Sequence, residues 1–187
     1  MRRHIFVAQL EDQPGVLNRV VSLFRRRNFN IDSLTVGRAE RPGVSRVTII
    51  FQATDAVARI VEANLYKLVN VLHVEDLTHR SHLTRDLALI KVAVDRQSRS
   101  EILHLAEVFR ARVVDVGDEA LIIEVTGSEE KINKACGVLR PYGVLELVRT
   151  GFVAMGRGGP GAAPPAADPA PRARETDHAA AGLAMSV

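Results

Sequence analysis

Asp12, Gln13, Pro14 and Gly15 lie between an apolar run, "HIFVAQL", and an amphipathic one, "VLNRVVSLFRRRN". A helix beginning here starts without side-chain bulk, because Gly15 leaves its first backbone N–H groups open to approach. Such a start attracts anions through its unpaired donors and the positive end of the helix dipole. Pro14 costs no hydrogen bond in a first turn and stiffens the loop. Asp12 either caps the helix or faces a cation. A carboxylate and an ammonium on one carbon would satisfy both groups, which is the chemistry of an α-amino acid. The same residues also read as an ordinary strand-to-helix turn. Further along, "DRQSRSEIL" presents Ser98 and Glu101 as a capping box with no glycine and no opening. A ligand at a helix start is therefore expected in the first stretch only.

Other chemistry has no visible carrier. Six His are scattered, and His79 and His82 in "HRSHL" stand three apart without a Cys or acidic partner at a metal-site interval, so no metal is expected. No G-x-S-x-G, Walker A or G-x-G-x-x-G sequence follows a strand, and "GRGGPG" belongs to a low-complexity end. These absences argue against an enzyme. Cys136 is the single cysteine, which excludes an internal disulfide and reads as a small buried helix residue in a reducing compartment. Arg25, Arg26 and Arg27 close a helix, where cations complement the dipole and stay solvated. The 25 basic residues are offset by 22 acids to a net charge of +3, and no aromatic pair suited to base stacking appears, so no nucleic-acid partner is expected.

Periodicity supplies the elements that must position the loop. "HIFVAQL" is a strand, and Val16, Leu17, Val20, Val21 and Phe24 share a helical face. "FNIDSLTVGR" alternates imperfectly through Ile31, Leu34 and Val36, Pro42 and Gly43 turn the chain, and "VSRVTIIFQA" completes a hairpin. Asp55 is a candidate N-cap for a helix carrying Val57, Ile60, Val61, Leu65 and Leu68, after which "NVLHVEDLT" resumes a strand. The order β-α-β-β-α-β is ferredoxin-like. It recurs through "LALIKVAVD", a helix from about Ser98 to Arg110, "ARVVDVG", "ALIIEVTG", a helix from Ser128 to Leu139, and "GVLELVRTG". The fold class is thus α+β, two ferredoxin-like modules at 1–78 and 87–158 joined by a polar linker at 79–86. From Gly156 onward the Pro, Gly and Ala content predicts disorder, with 159–187 as a tail. With 47% apolar residues there is material for two cores, while no run approaches a membrane span and no secretory leader is expected from "MRRHIFVAQLED". A soluble cytoplasmic protein with no membrane partner is expected.

The stretch "LEDQPGVLNRVVSLFRRRNFNIDSLTV" resembles an ACT domain, a small amino-acid-sensing unit that pairs with a second copy. More widely, "NFNIDSLTVG", "SRVTI", "LYKLVNVLHVEDL", "RDLALIKV", "ARVVDVGDEALIIEVTG" and "VRTGFVAMGRG" look like the small regulatory subunits of acetolactate synthase, also called acetohydroxyacid synthase. The resemblance runs from Met1 to about Gly158. It implies an N-terminal ACT domain, an ACT-like C-terminal domain and no catalysis by this chain. The implied partner is a catalytic large subunit holding thiamine diphosphate, FAD and Mg²⁺, with no cofactor in the chain itself. It implies feedback by L-valine or another branched-chain amino acid, and a homodimer through the ACT domains. The implied effector site sets Asp12, Gln13, Pro14, Gly15 and Val16 of one chain against Asn30 and Ile31 of its neighbour. Asn30 would bond the effector's polar end, and Val16, Ile31 and Val36 would supply an apolar wall. Many relatives carry Asn where Asp12 stands. A stand-alone ACT-type regulator of another enzyme or of gene expression is the alternative.

Overall fold

The computed structural model describes residues 1–158, so the tail expected at 159–187 lies outside the described residues. The first strand, β1 (Arg2–Glu11), is buried without a break from His4 to Ala8 because both of its faces are covered. It is followed by α1 (Val16–Arg26), β2 (Ile31–Arg38), β3 (Val44–Ala53), α2 (Asp55–Leu65) and β4 (Val71–Asp76). The second module comprises β5 (His82–Ala93), α3 (Ser98–Val108), β6 (Arg112–Val116), β7 (Ala120–Gly127), α4 (Glu129–Leu139) and β8 (Val144–Arg149), with a final short strand β9 (Val153–Gly156). The two sheets run β2-β3-β1-β4 and β6-β7-β5-β8, the same antiparallel order twice, with β9 added beside β5.

The repeat extends to its irregularities. The second strand of each module carries a bulge, between Ile31 and Ser33 in one and between Val113 and Asp115 in the other. The central strand shifts register against its last partner at Gln9/Leu10 and again at Lys91/Val92. The first helix of each module stops on a non-glycine residue of positive φ, Asn28 at 55° and Arg110 at 47°. At both ends a six-residue backbone bond closes the turn, Phe29 N to Phe24 O at 3.1 Å and Ala111 N to Ala106 O at 2.8 Å. The β2 bulge also explains the broken alternation in the sequence, since it returns Leu34 and Val36 to the side occupied by Ile31.

The helices cover one face of each sheet. In the first module Val16, Val20, Leu23 and Phe24 of α1 pack with Val61 and Leu65 of α2 onto Phe6, Val47, Ile49 and Phe51. Phe51 receives Phe6 and Phe24 edge-on, with ring centres 5.1 and 5.3 Å away. Leu17 and Ile60, expected on the core faces, are exposed because each lies about 100° round its helix from the buried stripe. The second core joins Ile90, Val92, Ile123 and Val125 to Ile102, Ile132 and Leu139. Cys136 is half-buried at its margin, and burial raises its thiol pKa.

Several sequence expectations need correction. Thr54, not Asp55, caps α2: its hydroxyl accepts the Val57 N–H at 3.4 Å, while Asp55 is the first helical residue and holds the Arg2 guanidinium. Thr54 has the extended backbone a cap needs. Ser98 and Glu101 do not form a capping box. Asp95 accepts the N–H groups of Gln97 and Ser98, and Ser98 Oγ accepts the Asp95 N–H, so the box lies three residues earlier. Glu101 instead accepts from the Tyr142 hydroxyl at 3.1 Å. Pro14 lies in the loop before the helix rather than in its first turn. Five of the eight residues of the linker expected at 79–86 are strand, because β5 begins at His82. Gly156, where the tail was expected to begin, closes β9.

The hydrogen bonds from Ser98 and Gln97 hold the Asp95 carboxyl below the usual carboxylate range. Its stabilisation is therefore present above the unfolded value near pH 4 and is lost as the pH falls through the lower folded value. Asp95→Asn is expected to lower the melting temperature at neutral pH, with the gap to the parent closing in acid. A gap that persisted unchanged well below about pH 3 would assign the effect to something other than this charge.

Candidate effector site

The β1-α1 loop is built by backbone contacts. Asp12 N–H donates to Gly43 O at 2.8 Å, Gln13 N–H to Glu11 O at 2.9 Å and Val16 N–H to Gln13 O at 3.3 Å. Gly15 is the N-cap at φ +83°, a conformation in which a side chain is strained. A Cβ there would meet nothing within 4 Å, so the space over the helix start is open. No side chain caps α1 and its first turn holds no acid, whereas Asp55, Glu101 and the pair Glu129 and Glu130 stand in the first turns of α2, α3 and α4. Of the four α-helices of the described residues, α1 alone presents an uncompensated positive end.

The acids at the end of β1 are both engaged. Asp12 does not cap the helix. Its carboxylate accepts the Ser45 hydroxyl at 3.1 Å, and Glu11 accepts the Asn70 amide at 2.6 Å. Arg19 of α1 reaches the same Asn70 at 2.6 Å, tying loop, helix and β4 together. Ser45 and Asn70 were missed by sequence reasoning, since nothing in a polar residue more than thirty positions away marks it as the partner of Asp12 or Glu11. Asp12, Gln13, Pro14 and Gly15 are exposed, and Val16 is buried beneath them.

Ile31 and Val36 sit on β2 with Asn30 immediately before it, and the register shows where. Ile31 pairs with Phe51, which pairs with His4 near the start of β1; Arg38 pairs with Ser45, which pairs with Leu10 at its end. Asn30 and the Asp12–Gly15 loop therefore occupy opposite ends of one sheet, roughly 20 Å apart at the rise of a β-strand. One chain does not bring the predicted halves together. Val36 is nearer the loop end, 44% exposed, and faces the helix side with Leu34. Asn30 is exposed, and its amide donates to Asp32 at 3.2 Å. The strand that carries them is the edge of its sheet, with one row of backbone groups unpaired within the chain.

Two ferredoxin-like modules, the first with an open, acid-free helix start and an edge strand, define an ACT-like architecture. A family model described as the AHAS small subunit-like ACT domain matches residues 7–73, and one described as the small subunit of acetolactate synthase matches residues 85–158. The chain is 47% identical over 156 residues to a probable acetolactate synthase small subunit of Archaeoglobus fulgidus, covering 83% of this chain and 98% of that one. It is 44% identical over 155 residues to the acetolactate synthase small subunit of Mycolicibacterium smegmatis, covering 83% and 91%. The crystal structure of the acetolactate synthase small subunit from Thermotoga maritima superposes with a TM-score of 0.80 at 39% identity, covering 85% of this chain and 99% of that one. The chain belongs to the acetolactate synthase small-subunit family. Among the described residues no three His, Cys, Asp or Glu side chains converge to hold a metal, and no helix is long and apolar enough to cross a membrane.

Proposed function

We propose that this chain is the regulatory subunit of a cytoplasmic acetolactate synthase, without catalytic activity of its own. It binds a catalytic large subunit, raises its activity, and makes it sensitive to L-valine or another branched-chain amino acid. Thiamine diphosphate, FAD and Mg²⁺ reside on the large subunit. The module at 1–78 senses the amino acid, and the module at 87–158 contributes to assembly.

The observation that carries the effector site is the separation of its two halves along one sheet. A second copy related by a two-fold axis, with its β2 running antiparallel beside the first, sets the loop end of one sheet next to the Asn30 end of the other. Asp12, Gln13, Pro14, Gly15 and Val16 of one protomer then face Asn30 and Ile31 of its partner, and the exposed edge of β2 becomes paired. The effector's carboxylate takes the open N–H groups at Gly15 and its ammonium lies toward Asp12. Its branched side chain meets Val16, Ile31 and Val36. Binding tightens the homodimer seam, and it can bias the holoenzyme only by its unequal affinity for two states, typically about 1 to 3 kcal/mol.

The test is acetolactate formation by the large subunit of the same organism, with and without this chain and with and without millimolar L-valine. Stimulation that valine reverses is expected. Stimulation that no branched-chain amino acid reverses would remove the sensing role, and no stimulation would remove the partnership.

A further inference from the structure

The contacts between the two modules differ in which strand of the sensor they reach. Ala154 of β9 and Phe152 cover the side of the first sheet opposite its helices, against Ile5, Val7, Ile50 and Leu77. Arg46 of β3 donates to Ala154 O at 2.9 Å, and Arg3 of β1 pairs with Glu129 of α4 while stacking 4.7 Å over Phe152. These land on β1 and β3. The turn between β8 and β9 lands on β2 itself. The Phe152 N–H donates to Ser33 Oγ at 3.1 Å, and Thr35 Oγ1 lies 3.5 Å from the Thr150 carbonyl oxygen it donates to. Between them Gly151, at φ +81°, passes so close that a Cβ would stand 2.9 Å from both hydroxyl oxygens.

The alternation of β2 gives this contact its meaning. Leu34 and Val36 pair with Ile49 and Val47 and point to the helix side, where the effector wall is placed. Ser33 and Thr35 pair with Ile50 and Thr48 and point to the other side, into the turn. A shift or rotation of β2 at the dimer seam must therefore alter the seat of Thr150 to Phe152, because a strand moves both of its faces together. On its far side the turn is anchored rigidly. Thr150 Oγ1 accepts the Leu87 N–H at 3.2 Å, and the buried Asp86 carboxylate accepts from the Arg149 guanidinium, which also donates to Asn133 of α4 at 3.0 Å. One face of β2 thus meets the effector site and the other meets a turn braced against β5 and α4.

We propose that the turn Thr150–Gly151–Phe152 is the coupling element through which effector occupancy at β2 reaches the C-terminal module. The proposal rests on the effector site argued above. It requires that the turn act on the response and not merely hold the modules together, and these roles separate experimentally. Ser33→Ala removes the acceptor of the Phe152 N–H, and Thr35→Val removes a hydroxyl at nearly constant volume; neither residue belongs to the effector wall. The double variant and the parent are reconstituted with the large subunit, and three quantities are read: L-valine affinity of the small subunit by calorimetry, stimulation without valine, and inhibition at saturating valine.

The expected result is parental affinity and stimulation with loss of most of the inhibition. Inhibition equal to that of the parent at saturation would overturn the proposal. A parent that binds no branched-chain amino acid would remove the effector site and this proposal with it, an outcome distinguishable because it is seen without any substitution. A second measurement needs no variant: hydrogen exchange at the Phe152 amide of the intact chain should change when L-valine is added. Exchange unaltered by a saturating effector would also overturn the coupling.

Discussion

Gly15→Asp is expected to abolish inhibition of the reconstituted enzyme by L-valine while stimulation of the large subunit persists. The substitution places a carboxylate at the open helix start, the proposed seat of the effector's own carboxylate. It also supplies the acid that α1, alone among the four α-helices of the described residues, lacks in or at its first turn. Whether the new side chain takes an N–H group or only repels the ligand, the anion seat is occupied. Space is not the obstacle, because a Cβ at Gly15 meets nothing within 4 Å. The backbone is: at φ +83° any side chain costs about 1 kcal/mol. Gly15→Ala carries that strain without the charge and separates the two effects. It is expected to lose stability but to keep most of its valine response. Inhibition by valine that survived Gly15→Asp unchanged would move the effector elsewhere, and equal losses in the Ala and Asp variants would make the loop's conformation, not its charge, the determinant.

The second large effect is structural. Asp86→Ala is expected to destabilise the chain by about 3 kcal/mol, a fall in melting temperature of roughly 6 to 12 °C. The Asp86 side chain is fully buried, yet its carboxylate is well satisfied: one oxygen takes the Arg149 guanidinium, with Nε at 2.7 Å, and the other accepts the Thr150 hydroxyl at 3.3 Å. Removing one partner of such a pair leaves a charge without its counter-charge, which outweighs the modest net value of the pair itself. Arg149 retains 29% exposure, a bond to Asn133 and a position 5.9 Å over the Phe152 ring, so the loss falls at the low end of that class. Asp86→Asn keeps the shape and an acceptor and should cost clearly less. Denaturant unfolding of the three proteins measures the difference, and a loss under about 1 kcal/mol for Asp86→Ala would mean that solvent reaches Arg149 readily.

Much of the architecture was legible because periodicity is local. The stripe Val16, Val20, Phe24 and the β-branched run "VSRVTIIFQA" specify helix and strand whatever they later pack against. Cap identities were less legible. Thr54 and Asp55 are neighbours of similar capping power, and backbone angle decides between them. The strand β9 was absent from the reading because "VAMG" is four residues long and adjoins a glycine-rich stretch; what makes it a strand is pairing with His82–Arg85.

The sequence by itself determined the order of elements, the doubled topology and a glycine at the start of the first helix, all read from residues within a turn or two of one another. The tertiary structure decided which acid meets which partner, that the two halves of the proposed effector site stand at opposite ends of one sheet, and that a turn near the end of the second module grips the edge strand of the first. Ser33 and Phe152 are 119 residues apart. Contacts at that separation depend on how sheets stack and strands register, and polar residues that meet this way leave no periodic trace in the chain.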